Sequence, residues 1–280
     1  MTSKASNGEV RLRPLPVAGL AHCVLLLPEQ GDYLQSFRKA FELRLPNLDP
    51  FRPHDWAVAS SPRPCSFGIM AQGAWKWHIL IDPAGMSPEV EAAVLDGDLG
   101  EQVMAAIERQ AVCVMVFLLE GPEEATPIDR MRALCEAAWA WLDVGAEVLI
   151  WPEGRTALLR DTLIGLRPLD LEPEHSYLFV SNGVAAHQSN RSRYWLRTWG
   201  MGQFALPDLC ASVVSNRPVF EAELESLKLL FETLPPAMIR EHGVLPTGGT
   251  VEVGERVWTA STAPQDAPTL ASRYGLQYFE

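Results

Sequence analysis

Short apolar runs alternate with amphipathic segments along most of the chain. Short runs rich in branched side chains and bounded by turn residues are typical of buried strands. On this basis the sequence predicts strands over residues 21–27, 65–71, 75–81, 111–119, 147–151, 176–181, 193–197, 204–214, 250–261 and 274–279. Residues 72–74 join two of these strands as a hairpin, and Asn182-Gly183 indicates another tight turn. Pro207 indicates a bend or a sheet edge.

Apolar residues at helical spacing predict helices over residues 33–45, 99–107, 128–142, 155–166 and 220–234. The third of these is the most regular, and we expect Thr126 to cap it, with Pro127 at its first position. Its charged residues fall on the side opposite the apolar stripe, namely Asp129, Arg132 and Glu136. We expect Pro235-Pro236 to end the last helix.

Strands and helices therefore alternate, with hairpins at several points. This pattern favours an α+β fold, in which helices pack on mixed or antiparallel sheets, over a strictly parallel wound sheet. The order strand, helix, hairpin, helix, strand near the start matches a split βαβ unit. We expect two packed ferredoxin-like halves, residues 1–150 and 151–280, or one continuous domain, since no flexible linker separates them.

Composition and charge narrow the class of protein. The chain has 280 residues, 48% of them hydrophobic, which excludes a wholly disordered protein. It carries 23 Lys and Arg against 35 Asp and Glu, a net charge of −12. Because phosphate attraction supplies most nucleic-acid affinity, we expect no nucleic-acid partner. We also expect no membrane partner, since the longest apolar run, residues 111–119, is far below the roughly 20 residues of a span.

The beginning of the chain and its cysteines indicate a compartment. Residues 1–9 are small and polar, and no apolar stretch of a secretory signal follows them. The five cysteines include no CxxC pair, and several lie in apolar runs, so we expect buried, reduced thiols. A cytoplasmic protein is the resulting prediction.

Searches for known catalytic patterns give no catalytic assignment. The chain lacks GxxxxGK[ST], GxGxxG and GxSxG sequences. His22 and Cys23 are neighbours in a predicted strand, so their side chains would point to opposite faces. The six histidines show no HxH, HxxxH or HExxH spacing. We therefore expect no metal, no cofactor and no enzyme activity.

One stretch, residues 188–208, concentrates arginines and aromatic residues in this acidic chain. Arg193, Trp195 and Arg197 lie in its predicted strand. Such a mixture could stack nucleobases or form a protein-binding hot spot. The structural alternative is a strand that packs these side chains alternately inward and outward while its arginines neutralise nearby acids.

Residues 195–209, WLRTWGMGQFALPDL, resemble a bacterial family known only as domain of unknown function 4261. Its hallmark is a T-x-G-hydrophobic-x-x-F-G-L-P-[ED] segment, and Ala205 replaces the usual glycine, where the backbone should be less permissive. The resemblance extends more loosely from about residue 111 to the end of the chain. The motif carries no catalytic assignment, so we expect it to shape the fold. The matching residues are Thr198, Gly200, Phe204, Leu206, Pro207 and Asp208.

The resemblance also implies a function, since such proteins are similar to those among the immunity and accessory genes of bacterial toxin systems. Our first hypothesis is a non-catalytic immunity protein that occludes a cognate toxin. Two acidic loops, residues 120–124 and 170–174, would meet a basic, nuclease-like surface. The candidate contacts are Glu120, Glu123, Glu124, Asp170, Glu172, Arg193, Trp195 and Arg197.

Two alternatives stay open. A hydrolase would place His175 or His187 beside a carboxylate and Arg193 in a cleft. A small-molecule or nucleic-acid sensor would use the arginine and aromatic stretch.

Overall fold

In the computed structural model, the chain folds into two units. The structure describes residues 21–28, 33–44, 66–82, 100–163, 165–189, 192–216, 218–254, 256–270, 272 and 274–280, with short strands at 13–14 and 52–53. The N-terminal unit comprises Val17–Ser181 and Trp199–Ala205. The C-terminal unit comprises Met1–Pro16, Asn182–Thr198 and Leu206–Glu280. Residue 150, the predicted boundary between two halves, lies within a strand of the N-terminal unit.

The described elements, in chain order, are as follows. The helices are α1 (Tyr33–Arg44), α2 (Glu101–Glu108), α3 (Pro127–Asp143), α4 (Arg160–Leu163) and α5 (Phe220–Glu241). The strands are β1 (Arg13–Pro14), β2 (His22–Leu27), β3 (Arg52–Pro53), β4 (Ser66–Gln72), β5 (Trp75–Asp82), β6 (Val112–Glu120), β7 (Val148–Trp151), β8 (Thr156–Leu159), β9 (Ser181–Gln188), β10 (Arg193–Trp199), β11 (Asp208–Val214), β12 (Gly243–Val244), β13 (Thr250–Val253), β14 (Arg256–Ser261) and β15 (Leu276–Phe279). This mixture confirms the predicted α+β class.

The N-terminal unit is built on a seven-stranded sheet in the order β3-β4-β5-β6-β2-β7-β8, with antiparallel neighbours throughout. Strand β2 is central, and its apolar run is buried on both faces. Val24 and Leu26 pack with Val103 and Ile107 of α2. Because successive side chains of a strand alternate in direction, Leu25 faces the other side, where α3 contacts the sheet.

The strand order differs from the ferredoxin-like arrangement that the element order suggested. Strand β2 precedes α1, and β4, the first strand of the predicted hairpin, follows it after the two-residue β3, but β5 and β6 both lie between β2 and β4 in the sheet. Since every neighbour is antiparallel, β2 and β4 run in opposite directions. A split βαβ unit has these two strands parallel, with one strand between them. The periodicity of the sequence identifies strands and helices, but it does not specify which strands pair.

The C-terminal unit contains a mixed six-stranded sheet in the order β13-β14-β15-β11-β10-β9. Strands β11 and β15 are parallel, whereas β10 and β11 are antiparallel. Helix α5 contacts β11 and β13. Trp195, Cys210 and Tyr278 form a buried cluster on the sheet, so the apolar positions of β10, β11 and β15 make a shared core.

The region after β7 departs most from the predicted elements. Residues 155–166, predicted as one helix, form β8 and the single turn of α4. A 3-10 turn (Pro152–Gly154) and Arg155, with a left-handed φ of 51°, fold β8 back onto β7. The strand predicted over residues 176–181 is instead a 3-10 helix, Pro173–Leu178, and β9 runs through the expected turn at Asn182-Gly183.

Helix α5 continues through Pro235 and Pro236 to Glu241, although the sequence predicts that these prolines end it. A proline inside a helix removes one backbone hydrogen bond and costs about 3 kcal/mol. Leu234, Pro235 and Met238 are buried here, and their burial offsets that cost. Likewise, the strand predicted over residues 250–261 is a hairpin of β13 and β14 with a turn at Gly254.

Four of the five cysteines, Cys23, Cys113, Cys135 and Cys210, are buried free thiols, as predicted; Cys65 lies outside the described residues. Burial raises the pKa of Cys113 and of Cys210 to about 12. These thiols are therefore protonated at neutral pH and act as small apolar side chains of the core.

Candidate functional site

An open groove of about 410 Å³ lies in the N-terminal unit between the two predicted acidic loops. We call it the acidic-loop groove. The first loop, residues 120–124, contributes Pro122 and Glu124 to its wall, and Leu169, which immediately precedes the second loop, also lines it. Strand β5 and helix α3 supply the remaining described walls, chiefly Trp75, Trp77, Asp129, Arg132 and Glu136. The two loops are far apart in sequence but flank one cavity.

Helix α3 is fixed at its N-terminus by a capping box. The hydroxyl of Thr126 accepts a hydrogen bond from the backbone N–H of Asp129 at 3.2 Å, and the Asp129 carboxylate accepts one from the N–H of Thr126 at 3.1 Å. Pro127 occupies the first position, where no N–H is needed. The cap ends the first acidic loop at a defined point and, by helical spacing, places Asp129, Arg132 and Glu136 along one side of α3.

Arg132 ties the second acidic loop to α3. Its Nε donates to the carbonyl oxygen of Leu171 at 2.9 Å, Nη1 lies 3.1 Å from Asp129, and Nη2 lies 3.0 Å from Glu172. A planar guanidinium can bond several acceptors at fixed angles. One partly buried arginine therefore holds the backbone of the second loop and one of its predicted acids beside the groove.

The predicted acidic residues are exposed, as a contact surface requires. Glu120 pairs with Lys76 at 2.6 Å across the neighbouring ends of β5 and β6, while Glu123 and Glu124 lie at the tip of the first loop. Asp170 accepts two hydrogen bonds from Arg167, at 2.6 and 2.9 Å. These bonds lower the pKa of Asp170, so its carboxylate is ionised well below neutral pH.

Two carboxylates in the groove have pKa values displaced in opposite directions. Burial raises the pKa of Glu136, and the guanidinium of Arg44, 3.7 Å away, only partly opposes it. Burial also works to raise the pKa of Asp129, but hydrogen bonds from Thr126 and the charge of Arg132 lower it overall. The helical pattern predicts both residues on the polar side of α3, and it contains no sign that Glu136 is buried.

The aromatic wall of the groove depends on a close approach between β5 and the first loop. Trp75 is partly exposed, and its ring lies against Gly121, where a Cβ would come within 2.3 Å of Cζ3. Trp77, which also lines the groove, is buried and donates its indole N–H to the carbonyl oxygen of Ala133 at 2.9 Å. These contacts fix β5 against α3.

The arginine and aromatic residues predicted to contact a partner lie in the C-terminal unit and are mostly buried. Trp195 is 1% exposed and Arg197 4%, and the latter pairs with Asp208 at 2.5 Å. Arg193 is partly exposed and pairs with Asp266 at 2.6 Å. This placement agrees with the structural alternative, in which the strand packs its aromatics and neutralises nearby acids. We therefore assign Trp195 and Arg197 to the core of the unit.

The first and last residues of the predicted motif, Thr198 and Asp208, stabilise the C-terminal unit. Thr198 accepts a hydrogen bond from the N–H of Leu209 at 2.9 Å, which joins β10 to β11. Besides Arg197, Asp208 accepts a bond from the hydroxyl of Ser272 at 3.1 Å. Leu206 and Pro207, which immediately precede β11, are buried.

The middle of the motif belongs to the N-terminal unit and surrounds the carbonyl oxygen of Phe179. Gln203 donates to that oxygen at 3.0 Å, and a Cβ at Gly200, which has a φ of 105°, would lie 2.3 Å from it. The ring of Phe204 makes an edge contact with Phe179 at 6.0 Å. Ala205 has a φ of 55°, a conformation that favours glycine.

The two histidines considered for a hydrolase, His175 and His187, make contacts outside the acidic-loop groove. His187 stacks on Tyr194 at 4.2 Å, and His175 accepts a hydrogen bond through Nδ1 from the N–H of Glu172 at 3.0 Å. The described lining of the acidic-loop groove contains no histidine. Across the described residues, no cluster of three or more histidines, cysteines or acids could hold a metal ion.

Comparisons with known proteins give no relative: no protein-family model, curated protein or solved structure matches this chain. Among the helices that the structure describes, none is both long and apolar enough to cross a bilayer.

Proposed function

We propose that this chain is a non-catalytic binding protein that neutralises a cognate bacterial toxin in the cytoplasm by binding it directly. The observation that carries the proposal is the acidic-loop groove. Two acidic segments that are distant in sequence flank one open cavity with an apolar and aromatic wall. Exposed charge around a partly apolar centre is the common composition of a protein-binding surface.

Charge supports a basic partner, such as a nuclease. The chain has a net charge of −12, and Glu123 and Glu124 lie exposed at the tip of the first loop. A negatively charged surface attracts a basic protein at distances up to about a Debye length, and this attraction raises the association rate. The exposed side chain of Leu169, 72% accessible, and the ring of Trp75 supply apolar area that slows dissociation.

Co-expression tests the proposal. The polypeptide encoded by the gene next to this one is expressed in a heterologous bacterium with and without the chain. We expect the chain to restore growth and to form a complex with the polypeptide in a pull-down. The variant E123K/E124K should lose both effects. The control E232K/E241K makes the same change in net charge on exposed positions of α5 and should keep both. Equal rescue by both variants, or no recoverable complex, would contradict the proposal.

A hydrolase is the second candidate, because Asp129 and Glu136 have oppositely shifted pKa values in one groove. Paired carboxylates of this kind can divide the roles of base and acid. Asp129, however, is already engaged by Thr126 and Arg132. The variant Glu136→Gln separates the candidates: a hydrolase would lose neutralisation while still binding the toxin, whereas in a binding protein both properties change together.

A further inference from the structure

We propose that the acidic-loop groove receives an arginine side chain of the partner, seated against Trp75 between the carboxylates of Glu124 and Glu136. This inference rests on the proposed function and specifies the chemistry that the groove recognises. It follows from the size of the cavity, its aromatic wall and the distribution of its charges.

The cavity is large enough for a whole side chain. Its volume of about 410 Å³ lies within the range of ligand pockets, about 300–1,000 Å³. The groove is open to solvent along the first loop, where Glu124 is exposed. A long side chain can therefore enter from a partner surface without displacing α3 or β5.

The aromatic wall suits a planar cation. Trp75 is held in place by the close approach of Gly121 and stays partly exposed on the groove side. A guanidinium stacks on an indole ring through both cation–π attraction and planar contact, and it is more weakly hydrated than an ammonium group. The same chain already shows this pairing, with the guanidinium of Arg256 4.2 Å from the ring centre of Trp258.

The charged side chains of the groove can accommodate a further positive charge. Arg132, the arginine among its described lining residues, already has Asp129, Glu172 and the Leu171 carbonyl as acceptors. The carboxylate of Glu136 has Arg44 at 3.7 Å, but Arg44 makes its shorter contact, 2.8 Å, with Asp143. Glu136 and Glu124 thus present negative charge that an incoming guanidinium can bond in its fork geometry.

Titration of the full chain with N-acetyl-arginine amide, followed by the indole N–H signal of Trp75 in NMR spectra, tests the inference. We expect saturable binding in the millimolar range that shifts this signal. Glu136→Gln and Glu124→Gln should each weaken binding at least threefold, and Glu108→Gln, an exposed control on α2, should leave it unchanged. Because Trp75→Phe and Trp75→Leu lack this indole, binding to these two variants is followed by the backbone amide signal of Ala125, which also lines the groove. Trp75→Phe, which keeps a ring, should weaken binding less than Trp75→Leu.

Two companion probes decide the chemistry. Equal binding of N-acetyl-norleucine amide would show that the groove recognises only an apolar chain, and equal or tighter binding of N-acetyl-lysine amide would exclude a preference for guanidinium; either result overturns the inference. Failure here is distinguishable from failure of the proposed function. If toxin neutralisation depends on Glu123 and Glu124 but the arginine probe does not bind, only the inference fails.

Discussion

At the scale of single residues, Gly200 and Ala205 both have left-handed backbone conformations, but they differ in whether a side chain is tolerated. Gly200 has a φ of 105° and lies against the carbonyl oxygen of Phe179, so a side chain would both strain the backbone and collide with it. Ala205 adopts a φ of 55° although it carries a methyl group. Left-handed backbone costs an L-residue about 1–2 kcal/mol, so Ala205 stores strain.

The variant Ala205→Gly should therefore stabilise the protein. Relief of strain outweighs the larger entropy that glycine loses on folding, and we expect a net gain of about 0.5–1 kcal/mol in the free energy of unfolding. Urea denaturation measures it. The paired variant Gly200→Ala should lower stability by several times that amount. A loss of stability in Ala205→Gly would show that the buried methyl group contributes more than the strain costs.

The buried carboxylate of Glu136 predicts a dependence of stability on pH. Because the folded state raises its pKa, the fold favours the protonated form, and the stability from this group is present below the unfolded pKa of about 4.3. That stability is lost as the pH rises through the folded pKa. Glu136→Gln removes the titration, so in urea denaturation at a series of pH values its stability relative to the parent protein should rise as the pH increases from about 4 through neutral. A constant difference across this range would contradict the assignment.

At the scale of elements, Arg132 is the link between helix α3 and the second acidic loop. Arg132→Ala removes a bond to the Leu171 backbone and two ion pairs. We expect a loss of about 1–3 kcal/mol and faster hydrogen exchange of amides in residues 168–175. The control Arg130→Ala removes one long bond, 3.4 Å, to Pro122 and should leave exchange in that loop unchanged. Equal exchange in both variants would mean that other contacts hold the loop.

The prolines of α5 give a second prediction at this scale. Pro236→Ala restores a backbone donor inside the helix, and we expect stabilisation of up to about 3 kcal/mol in thermal or urea unfolding. Pro127→Ala is the matched control, because Pro127 stands at the first position of α3 and no helical bond is missing there. A similar small effect of both substitutions would show that burial of the Pro236 ring compensates for the lost bond.

The elements also show which parts of the molecule the sequence could predict. Strand β6 and helix α3 have regular patterns and clear end signals, and both were predicted nearly to the residue. The 3-10 helix Pro173–Leu178 was predicted as a strand, because its apolar run resembles one over a few residues. The acidic loops could be found from composition. Their meeting at one groove could not, because it depends on Arg132 reaching Leu171, 39 residues away.

At the scale of the whole molecule, the net charge of −12 predicts how association with the proposed basic partner depends on salt. The association rate should fall about tenfold or more between roughly 20 and 500 mM salt, because ions screen attraction beyond the Debye length. The dissociation rate should change little, since apolar contacts around Leu169 and Trp75 set it. Surface plasmon resonance with the purified partner measures both rates. An association rate that ignores salt would argue against charge steering.

The chain path has a consequence for how such a protein can evolve. The N-terminal unit consists of Val17–Ser181 and the later segment Trp199–Ala205. Between these two segments the chain forms β9 and β10 of the C-terminal unit. Gln203 and Phe204 from that later segment contact Phe179. A single recombination breakpoint between residues 179 and 203 would therefore combine Phe179 from one parent gene with Gln203 and Phe204 from the other. Exchange of the N-terminal unit between related genes would need more than one breakpoint, so that residues 199–205 come from the same parent as Phe179.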